Sequence, residues 1–273
     1  MSSNDASPLG RTTGYPDHYD PALLFPIERA GQRPLLGIHG ALPFAGADIW
    51  TAYEISWLDL RGKPQLAVGE LRIAADSPAT VESKSLKLYL GSFAQDRVAT
   101  RERLAQTIAA DLDRVCRARV GVVLHPVTAS SAPPIAELPG LSLDGEDGIA
   151  DTAAPDPALL LAGDAPAEET LHSALFRSNC PVTGQPDYAD VMVRYRGPRI
   201  DRVSLLSYLL SYRRHAAFHE SCVEQIYVDI AQRCRTERLT VYARFMRRGG
   251  IDINPFRSNW EAPPASSPRT PRQ

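Results

Sequence analysis

The sequence has few cysteines and no long apolar run. Its 273 residues include four cysteines and no CxxC pair, which is too sparse for a disulfide scaffold and indicates free thiols in a reducing cytoplasm. No apolar stretch approaches the roughly 18 residues that span a bilayer. The first 20 residues are polar and lack the apolar core of a secretory signal. We therefore expect a soluble, cytoplasmic protein without a membrane partner.

Common nucleotide-binding motifs and a basic charge balance are also missing. No GxGxxG follows a predicted strand and no GxxxxGK[ST] is present, so neither a Rossmann site nor a P-loop is predicted. The formal net charge is −2, without the basic footprint of a dedicated DNA or RNA binder. Direct nucleic-acid binding is not expected, and any dinucleotide must bind in another way.

The composition that is present is that of a globular protein. Apolar residues make up 44% and charged residues 23% of the chain, and the length favours two domains. Residues 120–176 contain no Lys or Arg but many acidic side chains, which predicts an acidic connector with a candidate edge strand at 159–161. The predicted division is a flexible tail at 1–20, a domain at 21–150, a domain at 151–262 and a flexible tail at 263–273.

The two halves have the same predicted order of elements, which is strand, strand, helix, helix, strand. In the first half these elements are 51–60, 64–74, 86–93, 101–117 and 120–127. In the second half they are 171–180, 188–197, 201–212, 216–235 and 238–248. This weak internal duplication predicts an α+β fold of two units, each an antiparallel sheet with a helix pair on one face.

The four cysteines separate by periodicity. Three lie on apolar stripes of predicted helices, where a free thiol behaves as a small hydrophobe: Cys116, Cys222 and Cys234. Cys180 instead ends a strand and precedes a turn, and Asp187 follows that turn. A nearby acid can shuttle protons when a thiolate attacks an unsaturated carbon. The spacing fits equally well a strand-end thiol beside an unrelated surface carboxylate.

Two polar segments stand at predicted helix starts. His219 and Glu220 lie in the first turn of the last helix, and Val223 occupies the position of the second histidine in a zinc protease motif, which disfavours zinc hydrolysis. The alternative, which the residues alone favour, is that Glu220 interacts with the helix dipole and that His219 is a packed or surface imidazole. The segment ESKSLK, residues 82–87, suits phosphate, and Glu82 can accept donors from a guanine-like edge. An ordinary charged helix start is the alternative.

A third segment combines basic side chains with flexible backbone. Arg247 and Arg248 precede two glycines, and NPFRSN follows at 254–259. Such a loop can wrap a phosphate, and it is also typical of a solvated exit from a strand.

Together, five ordered segments resemble the long, two-module form of QueF, the NADPH-dependent 7-cyano-7-deazaguanine reductase. They are ESKSLKLYLGSF (82–93), SNCPVTGQPD (178–187), YRGPRID (195–201), FHESCVE (218–224) and VYARFMRRGGIDINPFRSN (241–259). The segment DIWTAYEISWL near residue 48 also fits. The resemblance covers most of residues 20–260 and is weakest in the connector. It implies two tandem tunnelling-fold (T-fold) modules and a homodimer.

The resemblance also implies a role for individual residues. The catalytic residues would be Cys180 as nucleophile, Asp187 as proton donor and His219 beside the substrate. Substrate contacts would come from Val81, Glu82, Ser83, His219 and Glu220. NADPH contacts would come from Ser83, Lys84, Arg248 and Gly249. No metal is implied.

The implied reaction is the four-electron reduction of a nitrile on a deazapurine base to a primary amine. A Cys180 thioimide is the implied intermediate, two NADPH molecules are consumed, and the product enters queuosine formation in tRNA. Two other functions remain as alternatives: a zinc-dependent hydrolase of the same fold, similar to GTP cyclohydrolase, and a non-catalytic purine-binding protein. A metal assay tests the first, and formation of a covalent adduct tests the second.

Overall fold

A computed structural model describes residues 14–128, 133–150, 152–266 and 268–273. The strands are β1 (Pro26–Glu28), β2 (Ala45–Leu58), β3 (Pro64–Ala74), β4 (Ala79–Val81), β5 (Val120–Pro126), β6 (Leu141–Ser142), β7 (Ala162–Asn179), β8 (Pro186–Ile200), β9 (Arg238–Phe245) and β10 (Ile251–Ser258). The helices are α1 (Ser83–Ser92), α2 (Arg101–Cys116), α3 (Arg202–Leu210) and α4 (His219–Cys234). The predicted α+β class is confirmed. Within the described residues, no helix has both the length and the apolar character needed to cross a membrane.

The chain forms two compact units, and each unit combines segments that are distant in sequence. Among the described residues, unit 1 holds 14–31, 48–128 and 247–252. Unit 2 holds 32–47, 133–150, 152–246, 253–266 and 268–273. The predicted domains, 21–150 and 151–262, are continuous in sequence, so they divide the chain differently from its packing. Their limits stay a prediction.

Unit 1 contains the sheet order β5–β3–β2 and a small separate sheet of β1 and β4. β3 pairs with β5 in antiparallel register, from Ala67 opposite Pro126 to Ile73 opposite Val120. The sequence pattern of α2 predicts an apolar stripe of Leu104, Ile108, Leu112 and either Val115 or Cys116. The stripe is confirmed with Cys116 as its last member, because these four side chains are inaccessible to solvent whereas Val115 is only partly buried. Each such leucine or isoleucine stabilises the fold by about 1.5–3 kcal/mol relative to an exposed one.

Unit 2 contains the sheet order β10–β9–β8–β7–β6. β10, β9, β8 and β7 pair in antiparallel fashion with their neighbours. The prediction of a purely antiparallel sheet is wrong at the edge, where β6 runs parallel to β7 with Leu141 opposite Leu171. The predicted edge strand at 159–161 is also wrong, because Pro157–Leu159 form a 3-10 turn capped by Asp156. The edge strand is instead β6, which lies earlier in the connector. No tight hairpin turn joins β6 to β7, so the two strands can pair in parallel.

The two helices of unit 2 are shorter than their sequence pattern predicts. α3 ends at Leu210 and continues as a 3-10 turn, and α4 begins only at His219. Residues 215–217, between this turn and α4, are extended because they pair with the end of β7. Asn179 donates its N–H to the carbonyl of His215 at 2.8 Å, and Ala217 donates to the carbonyl of Asn179 at 3.1 Å. This tertiary pairing overrides the local helical tendency.

The predicted duplication appears in the details of the helix caps. Glu82 caps α1 by accepting N–H groups two and three residues on, and Asp201 caps α3 by accepting the N–H of Ser204. In each unit a helix tyrosine donates to an aspartate of the next helix, at 2.6 Å in unit 1 and 2.5 Å in unit 2. Equivalent positions are Asp20 and Asp156, Glu82 and Asp201, Tyr89 and Tyr208, Asp111 and Asp229, and Cys116 and Cys234.

Parts of both predicted tails make defined contacts. Residues 1–13 lie outside the described residues, but the Tyr19 hydroxyl donates to Asp111 at 2.7 Å and its ring lies 4.9 Å from that of Phe93. At the other end, Gln273 is buried and donates to the carbonyl of Phe245 at 3.0 Å. Residues rich in Pro and Ser therefore lead into a terminal segment that packs on unit 2.

Candidate active site

Cys180 lies at the end of the β7–β8 hairpin. The ladder pairs Ser178 with Asp187, and one further bond runs from the Cys180 N–H to the carbonyl of Gln185 at 2.9 Å. Gly184 closes the turn with a φ of 69°, which favours glycine. Because directly opposed residues share a face of the sheet, Ser178 and Asp187 point to the same side. Alternation along the strand favours this side for Cys180 as well.

A buried acid stands next to an imidazole in unit 2. The Asp187 carboxyl is 3% exposed, and its Oδ1 lies 3.5 Å from Nε2 of His219, which is 18% exposed. The His219 ring packs against Phe245, with ring centroids 4.0 Å apart and planes at 70°. The first residue of α4 is thereby fixed in orientation over the hairpin that carries Asp187. The structure thus brings together two residues that lie 32 positions apart (219 − 187).

The pKa of Cys222 on α4 indicates which polar and charged groups lie close to its thiol. The pKa of its thiol is raised to about 12, chiefly by burial; the Ser178 hydroxyl lowers it, and the carboxylates of Asp187 and Glu220 raise it. Asp187, Glu220 and Ser178 therefore all lie near the Cys222 thiol. A thiol in these surroundings stays protonated and does not act as a nucleophile at neutral pH.

The cysteine assignment from periodicity is confirmed for burial. Cys116, Cys222 and Cys234 are fully buried, whereas Cys180 is only half-buried. Burial also raises the pKa of Cys116 to about 12 and that of Cys234 to about 11. Of the four thiols, Cys180 is the one that solvent and a ligand can reach.

A buried charge cluster on α4 was missed by the sequence analysis. Glu224 accepts two bonds from Arg33, at 3.1 and 2.9 Å, and two from Arg257, also at 3.1 and 2.9 Å. Glu224 lies one helical turn after Glu220, so the cluster shares a helix face with that carboxylate. Two guanidinium groups thus bind one carboxylate on the helix that carries Glu220. The spacing of the two glutamates was a signal, but Arg33 is 191 positions from its partner.

In unit 1, Glu82 is held as a helix cap. Its two carboxylate oxygens accept the N–H groups of Lys84 at 2.7 Å and Ser85 at 2.8 Å, and its side chain is buried. Val81, also buried, ends β4 immediately before it. Oε1 also accepts the Ser83 hydroxyl at 3.5 Å, whereas Oε2, which binds the Ser85 N–H, has a second lone pair. The cap therefore orients Glu82 without using up its capacity to accept donors from a ligand.

The basic residues of unit 1 come from two segments that touch. Gly249 has a φ of 59°, and a β-carbon there would lie 3.3 Å from the Lys87 side chain. Arg248 closes the turn by donating its N–H to the carbonyl of Ile251 at 2.8 Å, and the Arg247 guanidinium lies 4.3 Å from the Tyr53 ring centroid. The predicted cofactor residues thus lie on α1 and on a turn that packs against it. Backbone N–H groups of glycines next to cationic side chains can bind a phosphate group.

No group of three or more His, Cys, Asp or Glu side chains with metal-binding geometry occurs among residues 14–128, 133–150, 152–266 and 268–273. The predicted pocket that combines Glu82 with Glu220 draws on both units and stays a prediction. The roles assigned to individual side chains likewise stay predictions, although the structure places the acid, the imidazole and the hairpin thiol in one unit.

Unit 2 carries a half-buried thiol on the same hairpin as a buried acid that lies beside an imidazole, a set of groups suited to enzyme catalysis. Comparison with known proteins gives the family. The family model described as nitrile reductase, 7-cyano-7-deazaguanine-reductase N-term, matches residues 15–124, and the one described as QueF-like protein matches residues 186–264. The chain is 53% identical over 269 residues to the NADPH-dependent 7-cyano-7-deazaguanine reductase of Burkholderia ambifaria (strain MC40-6), covering 98% of each chain.

A second relative, the NADPH-dependent 7-cyano-7-deazaguanine reductase of Burkholderia multivorans (strain ATCC 17616 / 249), is 52% identical over 269 residues, again covering 98% of each chain. This chain belongs to the QueF family of nitrile reductases, as its motifs predicted.

Proposed function

We propose that this chain reduces the nitrile of 7-cyano-7-deazaguanine to 7-aminomethyl-7-deazaguanine with NADPH. The observation that carries the proposal is a relationship over nearly the whole chain to reductases of that name. The arrangement of Cys180, Asp187 and His219 in unit 2 supports it, because a reachable thiol on the same hairpin as a buried acid suits addition to a nitrile.

The thiol performs the first step. Cys180 adds as thiolate to the nitrile carbon, forming a carbon–sulfur bond, and Asp187 gives a proton to the nitrogen, which yields a thioimide. His219, held 3.5 Å from Asp187, positions this acid and restores its proton. NADPH, when bound, supplies hydride, and two molecules are needed because a nitrile takes four electrons to become an amine. Cys180 leaves as thiolate after the first reduction.

The residues of unit 1 fit the cofactor. The Gly249 turn lies against Lys87 on α1, and Lys84 and Arg248 belong to these same two segments. Ser83, Lys84, Arg248 and Gly249 would hold NADPH through its phosphates, and the cations would favour its additional phosphate over NADH. Val81, Glu82, Ser83, His219 and Glu220 would hold the base.

We also propose two tandem T-fold modules, with their limits near 21–150 and 151–262. The repeated caps support this, as does the αL arginine that ends the second helix of each half, Arg117 in one and Arg235 in the other. The enzyme would be a cytoplasmic homodimer that handles the free base rather than RNA, and its product would enter queuosine biosynthesis.

Incubation with the nitrile base in the absence of NADPH tests the function. A covalent adduct of the mass of the base, seen by intact-protein mass spectrometry, is expected, and NADPH should then convert it to amine with two cofactor molecules oxidised per product. A purine-binding protein would give no adduct. A cyclohydrolase would require zinc, and a metal analysis distinguishes that activity.

Asp187→Asn should slow thioimide formation by about 10²–10⁴-fold, the usual contribution of a positioned proton donor. Asparagine keeps the size of the side chain but has no acidic proton to give. Affinity for the base should stay within about twofold of wild type, because the carboxyl acts on the nitrogen as it reacts. Stopped-flow or quench-flow adduct kinetics measure the first quantity and calorimetry the second. Wild-type kinetics would remove Asp187 from proton transfer.

Lys84→Ala should raise the KM for NADPH by about tenfold, the size of one charge-assisted bond, and change the KM for NADH much less. The lysine is proposed to contact the phosphate that NADH lacks. Its backbone N–H is the one bound by Glu82, so the helix cap survives the substitution. Steady-state kinetics with both cofactors provide the measurement. An equal effect on both would place Lys84 on a part of the cofactor that they share.

A further inference from the structure

A β-bulge interrupts the sheet just below the catalytic hairpin. β7 and β8 pair from Ser173 opposite Val191, and then again from Phe176 opposite Ala189. Two residues of β7 thus face one residue of β8, which is the definition of a bulge. It separates the hairpin end that carries Cys180 and Asp187 from the rest of the sheet. Bulges weaken local pairing and bend the strand, so the hairpin depends on other contacts for its position.

The N–H groups of the bulge are bound by side chains of the connector and of β7. Asp144, two residues after β6, accepts the N–H of Ala174 with both oxygens, at 3.2 and 3.1 Å. It also accepts the Ser173 hydroxyl at 2.6 Å, and that hydroxyl in turn accepts the N–H of Leu175 at 3.1 Å. The donors that the bulge removes from the ladder therefore all have partners.

The carbonyl side of the bulge is bound by the C-terminal segment. Nη2 of Arg272 lies 2.5 Å from the carbonyl oxygen of Ala174 and 2.9 Å from that of Ala189, which belong to β7 and β8 respectively. The same guanidinium forms an ion pair with Asp190, the single β8 residue opposite the bulge. One side chain thus connects both strands at the point where their ladder is broken.

The next residue anchors this arginine to β9 and β10. Gln273 donates through Nε2 to the carbonyl of Phe245 at 3.0 Å and to Oδ1 of Asn254 at 2.7 Å, and it accepts from Nε of Arg244 at 2.9 Å. Phe245 is the residue against which the His219 ring packs. We call Arg272 and Gln273 the C-terminal clamp. Arg272 contacts both strands at the bulge below the hairpin, and Gln273 contacts the backbone of the phenylalanine that packs against the imidazole.

We propose that the C-terminal clamp, with Arg272 as its main contact, positions the hairpin that carries Cys180 and Asp187. The inference rests on the proposed function, since it assigns the clamp a role in thioimide formation. Arg272 touches no reacting atom; it acts by holding the bulge that sets the hairpin's direction. A small displacement of a nucleophile from its acid costs rate rather than affinity, so the clamp should affect the covalent step more than binding.

The test compares Arg272→Ala and Arg272→Lys with a matched control, Arg119→Ala, whose side chain is 99% exposed and lies in unit 1. With saturating nitrile base and no NADPH, thioimide formation should be slowed at least about tenfold in Arg272→Ala. The affinity for the base should change less than about twofold. Arg272→Lys should recover part of the rate because the ammonium keeps the charge opposite Asp190. The control should match wild type.

A merely stabilising arginine would lower the melting temperature and leave the rate of the folded enzyme at wild-type level, and that result would overturn the proposal. If Arg272→Ala does not fold, hydrogen exchange of Arg272→Lys decides. Amides at 176–179 and 187–189 should exchange faster while those at 191–197 are unchanged, and equal protection of the hairpin would reject the clamp. If wild type itself forms no adduct, the proposed function fails, and the exchange measurement alone decides on the clamp.

Discussion

Cys180→Ala should abolish both the adduct with the nitrile base and the turnover of NADPH. Alanine has no nucleophile, and no other thiol can replace it, because Cys116, Cys222 and Cys234 are fully buried. Loss of a covalent nucleophile typically lowers the rate by about 10⁴-fold or more. Because Cys180 is only half-buried at a hairpin end, the variant should keep the wild-type melting temperature. Intact-protein mass spectrometry and NADPH oxidation measure the effect.

Cys222→Ala is the matched control for this experiment. It removes a thiol that lies near Asp187 and Glu220 but is held protonated by burial, with a pKa of about 12. The expected cost is about 1 kcal/mol of folding free energy, as for a small group deleted from a core. The adduct should still form in one copy per chain. Full turnover by Cys180→Ala would contradict the covalent mechanism, whatever Cys222→Ala does.

Glu220→Leu should weaken binding of the nitrile base by at least tenfold and leave NADPH affinity nearly unchanged. The base presents ring and exocyclic N–H donors along one edge, and a charge-assisted bond that a buried carboxylate accepts contributes about 1.5–3 kcal/mol. Leucine is similar in size but would leave those donors unpaired. Isothermal titration of the folded variant with base and with NADPH measures both affinities. A wild-type affinity for the base would assign Glu220 to its helix dipole instead.

Glu82→Leu should weaken base binding to a similar degree, but its interpretation needs a control. Glu82 also caps α1, and loss of a cap costs about 1 kcal/mol of stability. Asp201→Leu provides the control, since Asp201 caps α3 in the equivalent way and has no proposed contact with the base. The two variants should lose similar stability, whereas only Glu82→Leu should lose affinity. Equal affinities would show that Glu82 is a cap alone.

Local sequence patterns predicted most of the elements because their causes are local. Helix stripes, caps and turn residues act within a few positions of one another, and β3 was predicted with its observed limits. The errors occur where distant segments compete. The start of α4 was predicted three residues too early because residues 215–217 pair with Asn179 instead. β10 was not predicted as a strand, since NPFRSN has the composition of a loop.

The candidate site likewise combines features with local causes and features that depend on distant segments. Spacing separated Cys180 from the three core cysteines, and the ordered motifs identified the family. From spacing alone, Asp187 could be either a proton donor or an unrelated surface acid. In the structure its side chain is buried, and its Oδ1 lies 3.5 Å from Nε2 of His219. Glu224 with its two arginines, and Asp144 with Arg272 at the bulge, were not identified, because none of these contacts leaves a periodic signal.

The sequence by itself determined the family, the α+β class, the duplicated order of elements and the one reachable thiol, because these follow from composition, periodicity and ordered motifs. Only the tertiary structure decided which side chains surround Asp187, which residues hold the bulge and which strand runs parallel at the sheet edge. Arg33 meets Glu224 across 191 positions, and Arg272 meets Ala174 across 98. Contacts of that separation depend on the packing of whole elements, and the free energy that selects them is distributed over the entire core.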